Sequence, residues 1–97
     1  FYVHVAELGR VSSPATVEIN TMAGPRDNPS VKSTDWVSKR IKWEKPASSG
    51  INETILCSEG NLYEGLQSNF WVQKDPHTLI TAGSDVTLLG TIQKILL

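Results

Sequence analysis

Residues 52–72 read NETILCSEGNLYEGLQSNFWV, and the fold turns on how this run is divided. The stretches NETILC and, further on, SNFWVQK are rich in β-branched and aromatic residues, and the turn residues Glu59-Gly60-Asn61 stand between them. Apolar β-formers bounded by such punctuation read as strands. A third extended stretch, TLITA, follows the turn Asp75-Pro76-His77, so the three are expected to run as a meander. Inside the run, Glu64-Gly65 stands just before Ser68-Asn69 and the large apolar Phe70-Trp71. A carboxylate there is either a surface turn residue or is aimed inward at something that needs negative charge.

Working outward, residues 1–7 and 15–22 (ATVEINTM) also cluster β-formers, and Ser12-Ser13-Pro14 between them predicts two strands of one sheet joined by a turn. Residues 23–30 hold Pro25, Pro29, Gly24, Asp27 and Asn28, a composition that forbids regular structure and marks a loop. Ser33 or Thr34 can cap a helix over TDWVSKRIKWEK, where Trp36, Val37, Arg40 and Ile41 recur at near-helical spacing before Pro46. Its Lys39, Arg40, Lys42 and Lys45 are interspersed with Asp35 and Glu44, the pattern of a solvated face. A loop, Ala47-Ser48-Ser49-Gly50, leads into the strands, and residues 90–97 (GTIQKILL) open a second helix. The order predicts an α+β fold, a mostly antiparallel sheet or pseudo-barrel with flanking helices.

Ninety-seven residues make one domain, 1–97. The 39% hydrophobic and 20% charged residues are those of an ordinary folded protein, neither disordered nor a disulfide scaffold. A net charge of -1 provides no basic field for nucleic acid, and no apolar stretch approaches the roughly 20 residues that span a bilayer. The chain opens on Phe1-Tyr2-Val3-His4-Val5 and stops at Ile95-Leu96-Leu97 within an apolar pattern, so a piece of a longer protein is expected. No leader is visible, which makes the cytoplasm the expected compartment, an organelle being the alternative. Cys57 reads as a small core hydrophobe, and the acceptor tripeptide Asn52-Glu53-Thr54 is discounted because it lies against a strand.

Three features remain: Lys32 after the proline-rich loop, Glu64 beside Gly65, and Gly90-Thr91 opening a helix. They supply an amine, a carboxylate and free backbone N–H groups suited to an anion. Pyridoxal 5'-phosphate requires that set: an amine for a Schiff base, an acid at the ring nitrogen and donors for the phosphate.

The spacing resembles the fold-type IV (class IV) pyridoxal-phosphate aminotransferases, the family of D-amino-acid and branched-chain aminotransferases and aminodeoxychorismate lyase. The resemblance is carried by Asn28-Pro29-Ser30-Val31-Lys32, Asn52-Glu53, Tyr63-Glu64-Gly65, Ser68-Asn69-Phe70, Thr81 and Leu88-Leu89-Gly90-Thr91-Ile92. In that family the central run reads approximately NEALLLDEEGxVTEGSxSNIFxV, and residues 52–72 follow it almost without gaps. The resemblance implies that 1–97 is an incomplete C-terminal cofactor-binding domain. Lys32 would be the Schiff-base lysine and then the general base, Glu64 the partner of the pyridine nitrogen, and Ser68 and Asn69 the support of that shell. The amides of Thr91 and Ile92, behind Gly90, would hold the phosphate. The implied reaction moves an amino group between an amino acid and a 2-oxo acid, with a lyase as the chemical variant, a non-catalytic module as the alternative, and a homodimer as the intact form.

Three departures are visible. Trp36 or Val37 stands where several relatives carry a tyrosine, and Ile92-Gln93 replaces the usual Thr-Arg of the phosphate turn. The relatives also take a phosphate arginine and much of the substrate pocket from an N-terminal domain that lies outside these residues.

Overall fold

The computed structural model describes residues 1–7, 9, 14–21 and 24–97. Its elements, in chain order, are β1 (Val17–Asn20), α1 (Asp35–Arg40), a 3₁₀ turn (Ala47–Ser49), β2 (Glu53–Ser58), β3 (Asn61–Gly65), β4 (Trp71–Asp75), β5 (Thr78–Thr81) and α2 (Thr91–Leu96). This is a small mixed α+β fold with two separate sheets, and no closed barrel forms among the described residues.

The first sheet has the order β1-β2-β3, with β1 parallel and β3 antiparallel to the central β2. A strand covered on both faces reads as a continuous apolar run, and Thr54-Ile55-Leu56-Cys57 of the central β2 are all buried. Leu56 and Leu66 form the innermost cluster, and Trp36, Trp43 and Tyr63 pack against it. Cys57 is buried and unpaired, the core role expected of it. The second sheet is the β4–β5 hairpin alone.

The expected meander is therefore corrected. Glu59-Gly60 does turn the chain, but it returns as β3 over Asn61–Gly65, a strand the sequence reading passed over, and β4 then leaves for the second sheet. Residues 1–7, expected as a strand, belong to no regular element and are exposed. The strand expected over 15–22 is confined to Val17–Asn20; Ser12 and Ser13 of the expected turn, and Met22, lie outside the described residues. The loop before Lys32 has no regular element over its described residues, 24–30.

Helix α1 is also shorter than the spacing predicts. It begins where the Ser33 hydroxyl accepts from Asp35 N–H at 3.2 Å, with Asp35 in its first turn and Lys39 and Arg40 in its last, each favourable to the helix dipole. After Arg40 the chain turns: Trp43 N–H and Glu44 N–H both donate to the Arg40 carbonyl, and Trp43 swings onto the core. Pro46 bars any continuation. Among the described residues no helix is long and apolar enough to cross a membrane.

The β2–β3 turn sets the register of everything downstream. Glu59 and Gly60 have φ of 51° and 78°, the left-handed pair of a two-residue type I′ hairpin. Glutamate is poorly suited to this region, whereas asparagine tolerates it. Gly60→Ala is expected to lower stability by about 1–2 kcal/mol, and Glu59→Asn to raise it, both read from chemical-denaturation midpoints.

Candidate functional site

Glu64 is the penultimate residue of β3 and is 3% exposed. Its burial follows from the turn that comes after it. Glu53, at the start of the neighbouring β2, reaches across with both carboxylate oxygens. Oε1 accepts from Thr54 N–H at 2.8 Å and Leu66 N–H at 3.1 Å; Oε2 accepts from Gln67 N–H at 3.2 Å and Ser68 Oγ at 2.8 Å. The turn closes with Gly65 N–H on the Ser68 carbonyl at 2.8 Å. Gly65 has no room for a side chain, since a Cβ would collide with Ser68 Oγ and stand 2.8 Å from the Glu53 carboxyl carbon. The acid–glycine pair thus has a physical reason: glycine lets Glu53 grip the turn, and the gripped turn keeps Glu64 facing inward.

Glu64 itself is sparsely partnered. Oε2 accepts from Leu88 N–H at 3.1 Å, while Oε1 lies 3.7 Å from Arg26 Nη1 and among the described residues has no hydrogen-bond partner. Burial pushes its carboxyl above the usual glutamate range, and the Leu88 N–H and the Arg26 guanidinium pull part of the way back. Leu88 is held from its other side as well, because Asn69 Nδ2 donates to its carbonyl at 2.7 Å. A Cβ on Gly90 would collide with Asn69 Oδ1, so this glycine permits the close passage of the chain into α2.

A cleft of about 490 Å³ opens between these elements. Its walls include Lys32 from the segment before α1, Trp36 and Arg40 from α1, Glu64 from β3, Ser68 and Asn69 from the following turn, and Gly90. Small-molecule sites run from roughly 300 to 1,000 Å³. Of the residues expected at a site, Lys32, Glu64, Ser68, Asn69 and Gly90 come together here. Lys32 is exposed, and among the described residues its amine has no hydrogen-bond or ion-pair partner. The polar groups of Ser68 and Asn69 are spent on Glu53 and Leu88, so both act as supports.

Thr91 and Ile92 are not part of the lining; both are exposed, Ile92 by 68%. Their backbone is the first turn of α2, where N–H groups lack intrahelical acceptors. Gln93 is 2% exposed, and among the described residues its Oε1 has no partner. Trp36 donates its Nε1–H to the Leu66 carbonyl at 2.9 Å.

Two site residues escaped the sequence reading. Glu53 appeared only as a motif letter beginning a strand, though a carboxylate at the head of a buried strand is itself a signal, since burial demands donors. Arg26 was one residue of a loop, with nothing periodic around it to single it out. No family model matches the chain, and neither a curated protein nor a solved structure does.

Two outcomes follow from the glutamates. Glu53→Ala removes the acceptor of Gln67 N–H and the Ser68 hydroxyl, while Leu66 N–H keeps the Thr54 carbonyl at 3.0 Å; it is expected to cost about 2 kcal/mol, with faster hydrogen exchange at the Gln67 amide and little change at Leu66. Glu64 has a raised folded value, so its contribution to stability is fully present below its unfolded value, near pH 4, and declines as pH rises through the folded one. The native chain should therefore lose stability relative to Glu64→Gln between about pH 4 and pH 7, as measured by urea midpoints across that range. A flat difference would contradict the buried, destabilised carboxylate.

Proposed function

We propose that this chain is the cofactor-binding part of a class IV pyridoxal-phosphate enzyme that transfers an amino group between an amino acid and a 2-oxo acid, completed by regions outside these residues. The observation that carries the reading is one cleft that joins the Lys32 amine to a buried Glu64 oxygen still lacking a hydrogen-bond donor. A buried acceptor without a donor is costly, and a protonated ring nitrogen is a donor of the right charge. Bound there, pyridoxal phosphate would supply an electron sink for the pair left on the substrate α-carbon when its proton departs.

The residues then divide the work. Lys32 would anchor the cofactor through its amine and, once released, carry the proton to and from the substrate carbon. An accessible amine at the cleft wall, with no partner among the described residues, suits both tasks. Glu64 would accept the ring N–H at Oε1 while Leu88 N–H fixes Oε2. Ser68 and Asn69 hold the walls, and the free amides of Thr91 and Ile92, beyond Gly90, would receive the phosphate. The intact enzyme would act as a homodimer in the cytoplasm, the partner regions supplying the rest of the substrate pocket.

A non-catalytic carrier of the same fold is the second reading, and one observation favours it. The indole N–H of Trp36 is engaged with the Leu66 carbonyl, so it has no donor left for the cofactor's phenolic oxygen.

Incubation with pyridoxal phosphate followed by borohydride reduction and peptide mapping is expected to label Lys32 and to lose that label in Lys32→Arg. A label on any other lysine, with Lys32 unmodified, rejects both readings. A label at Lys32 without amino-group transfer by the complete protein selects the carrier.

A further inference from the structure

Arg26 makes three contacts that join the parts of the cleft. Nη2 donates to the carbonyl of Val31, the residue before Lys32, at 2.9 Å. Nη1 stands 3.7 Å from Glu64 Oε1, too long for a hydrogen bond. The guanidinium carbon lies 5.0 Å from the centre of the Trp36 ring. The Arg26 and Glu64 side chains are only 7% and 4% exposed. Among the described residues, one donor, Arg26 Nε, and one acceptor, Glu64 Oε1, are left without hydrogen-bond partners.

Each charge alone would be strongly disfavoured at such burial, and each offsets the other's lost hydration. Their separation keeps the attraction, which falls only as the inverse of distance, while leaving Oε1 open to a second donor. Only an arginine serves all three contacts, because its planar fork directs two donors apart while its face rests on an aromatic ring.

We propose that Arg26 is a positioning residue of this cleft: it fixes the backbone that carries Lys32 against the strand that carries Glu64, and its guanidinium, held 3.7 Å from Oε1, favours the charged carboxylate while leaving that oxygen open to a cationic N–H donor. The identity of that donor rests on the proposed function; the pairing of Arg26 with Glu64 does not. The other charged groups lining the cleft are Lys32 and Arg40, the latter bound to Glu44 at 2.7 Å. Among the described residues Arg26 alone is within ion-pair distance of Glu64.

The two halves separate experimentally. In the cofactor-free 97-residue chain, the Glu64 carboxyl carbon is followed by NMR against pH, with Glu64→Gln assigning the signal. Its midpoint is expected to rise in Arg26→Gln and to stay near the native one in Arg26→Lys, which keeps the charge. Borohydride-trapped labelling of Lys32 by pyridoxal phosphate is expected to slow on the order of tenfold in both variants, because both lose the Val31 contact. In the native protein the Arg26 Nε–Hε signal should shift with the Glu64 midpoint, a reading that needs no variant and survives if Arg26→Gln fails to fold.

An Arg26 signal indifferent to Glu64 titration, or an unmoved midpoint in folded Arg26→Gln, overturns the electrostatic half. Unchanged labelling rates in the variants overturn the positioning half. A native chain that takes no label at Lys32 defeats the proposed function and the positioning half with it, while the titration still decides the pairing.

Discussion

The grip of Glu53 on the turn after β3 is the constraint on which the cleft depends. One carboxylate receives the N–H groups of Thr54, Leu66 and Gln67 and the hydroxyl of Ser68. Three of these donors belong to a tight bend; Leu66 N–H also reaches the Thr54 carbonyl at 3.0 Å, but Gln67 N–H and the Ser68 hydroxyl rely on Glu53 among the described residues, so the bend without that carboxylate would be less stable. Because Glu53 begins β2 and Glu64 nearly ends β3, the grip also fixes how far β3 runs before it bends. Were the bend to slip by one residue, the alternation of a strand would send the Glu64 side chain to the opposite face.

From that bend the cleft is assembled by hydrogen bonds between side chains and backbone groups. Leu88 is the connecting residue: its N–H faces Glu64 and its carbonyl faces Asn69. The strand carrying the acid and the segment leading to α2 are thereby joined without a sheet between them. On the opposite side, Trp36 packs on the Leu56–Leu66 core, gives its N–H to the Leu66 carbonyl and offers its ring to Arg26. Helix α1 is therefore anchored by a single aromatic residue at its first turn, and Lys32, four positions earlier, inherits that placement. The exposed ion pair Lys39–Asp27, at 2.7 Å, adds little to this, since solvent screens such pairs.

What the sequence disclosed, and what it hid, follows from the range of each interaction. Strand β2 was legible because its apolar run is a local pattern, and the proline-rich loop because its residues cannot do otherwise. Strand β3 was not, since Asn61, Glu64 and Gly65 are poor strand formers and the strand exists by pairing with β2 through a tight turn. Residues 1–7 show the converse: strong β-formers with no partner strand among the described residues remain outside any sheet. Lys32, Glu64 and Gly90 could be nominated from residue type and spacing. Arg26 could not, because its significance lies entirely in contacts with Val31, Trp36 and Glu64 that no local pattern encodes.

The two acids on adjacent strands differ in how fully the chain's own donors occupy them. Glu53 has four donors for two oxygens and is fully occupied by its own chain. Glu64, more deeply buried, has one N–H and a cation held just beyond bonding distance. Folding alone would favour a neutral or apolar residue at Glu64, because its burial raises the free energy of the charged form without a full set of partners in return. A cost of that kind, borne at the wall of a cleft rather than inside the core, is what a ligand's donor can recover on binding. The unmet acceptor is thus a stronger pointer to a site than the motif that contains it.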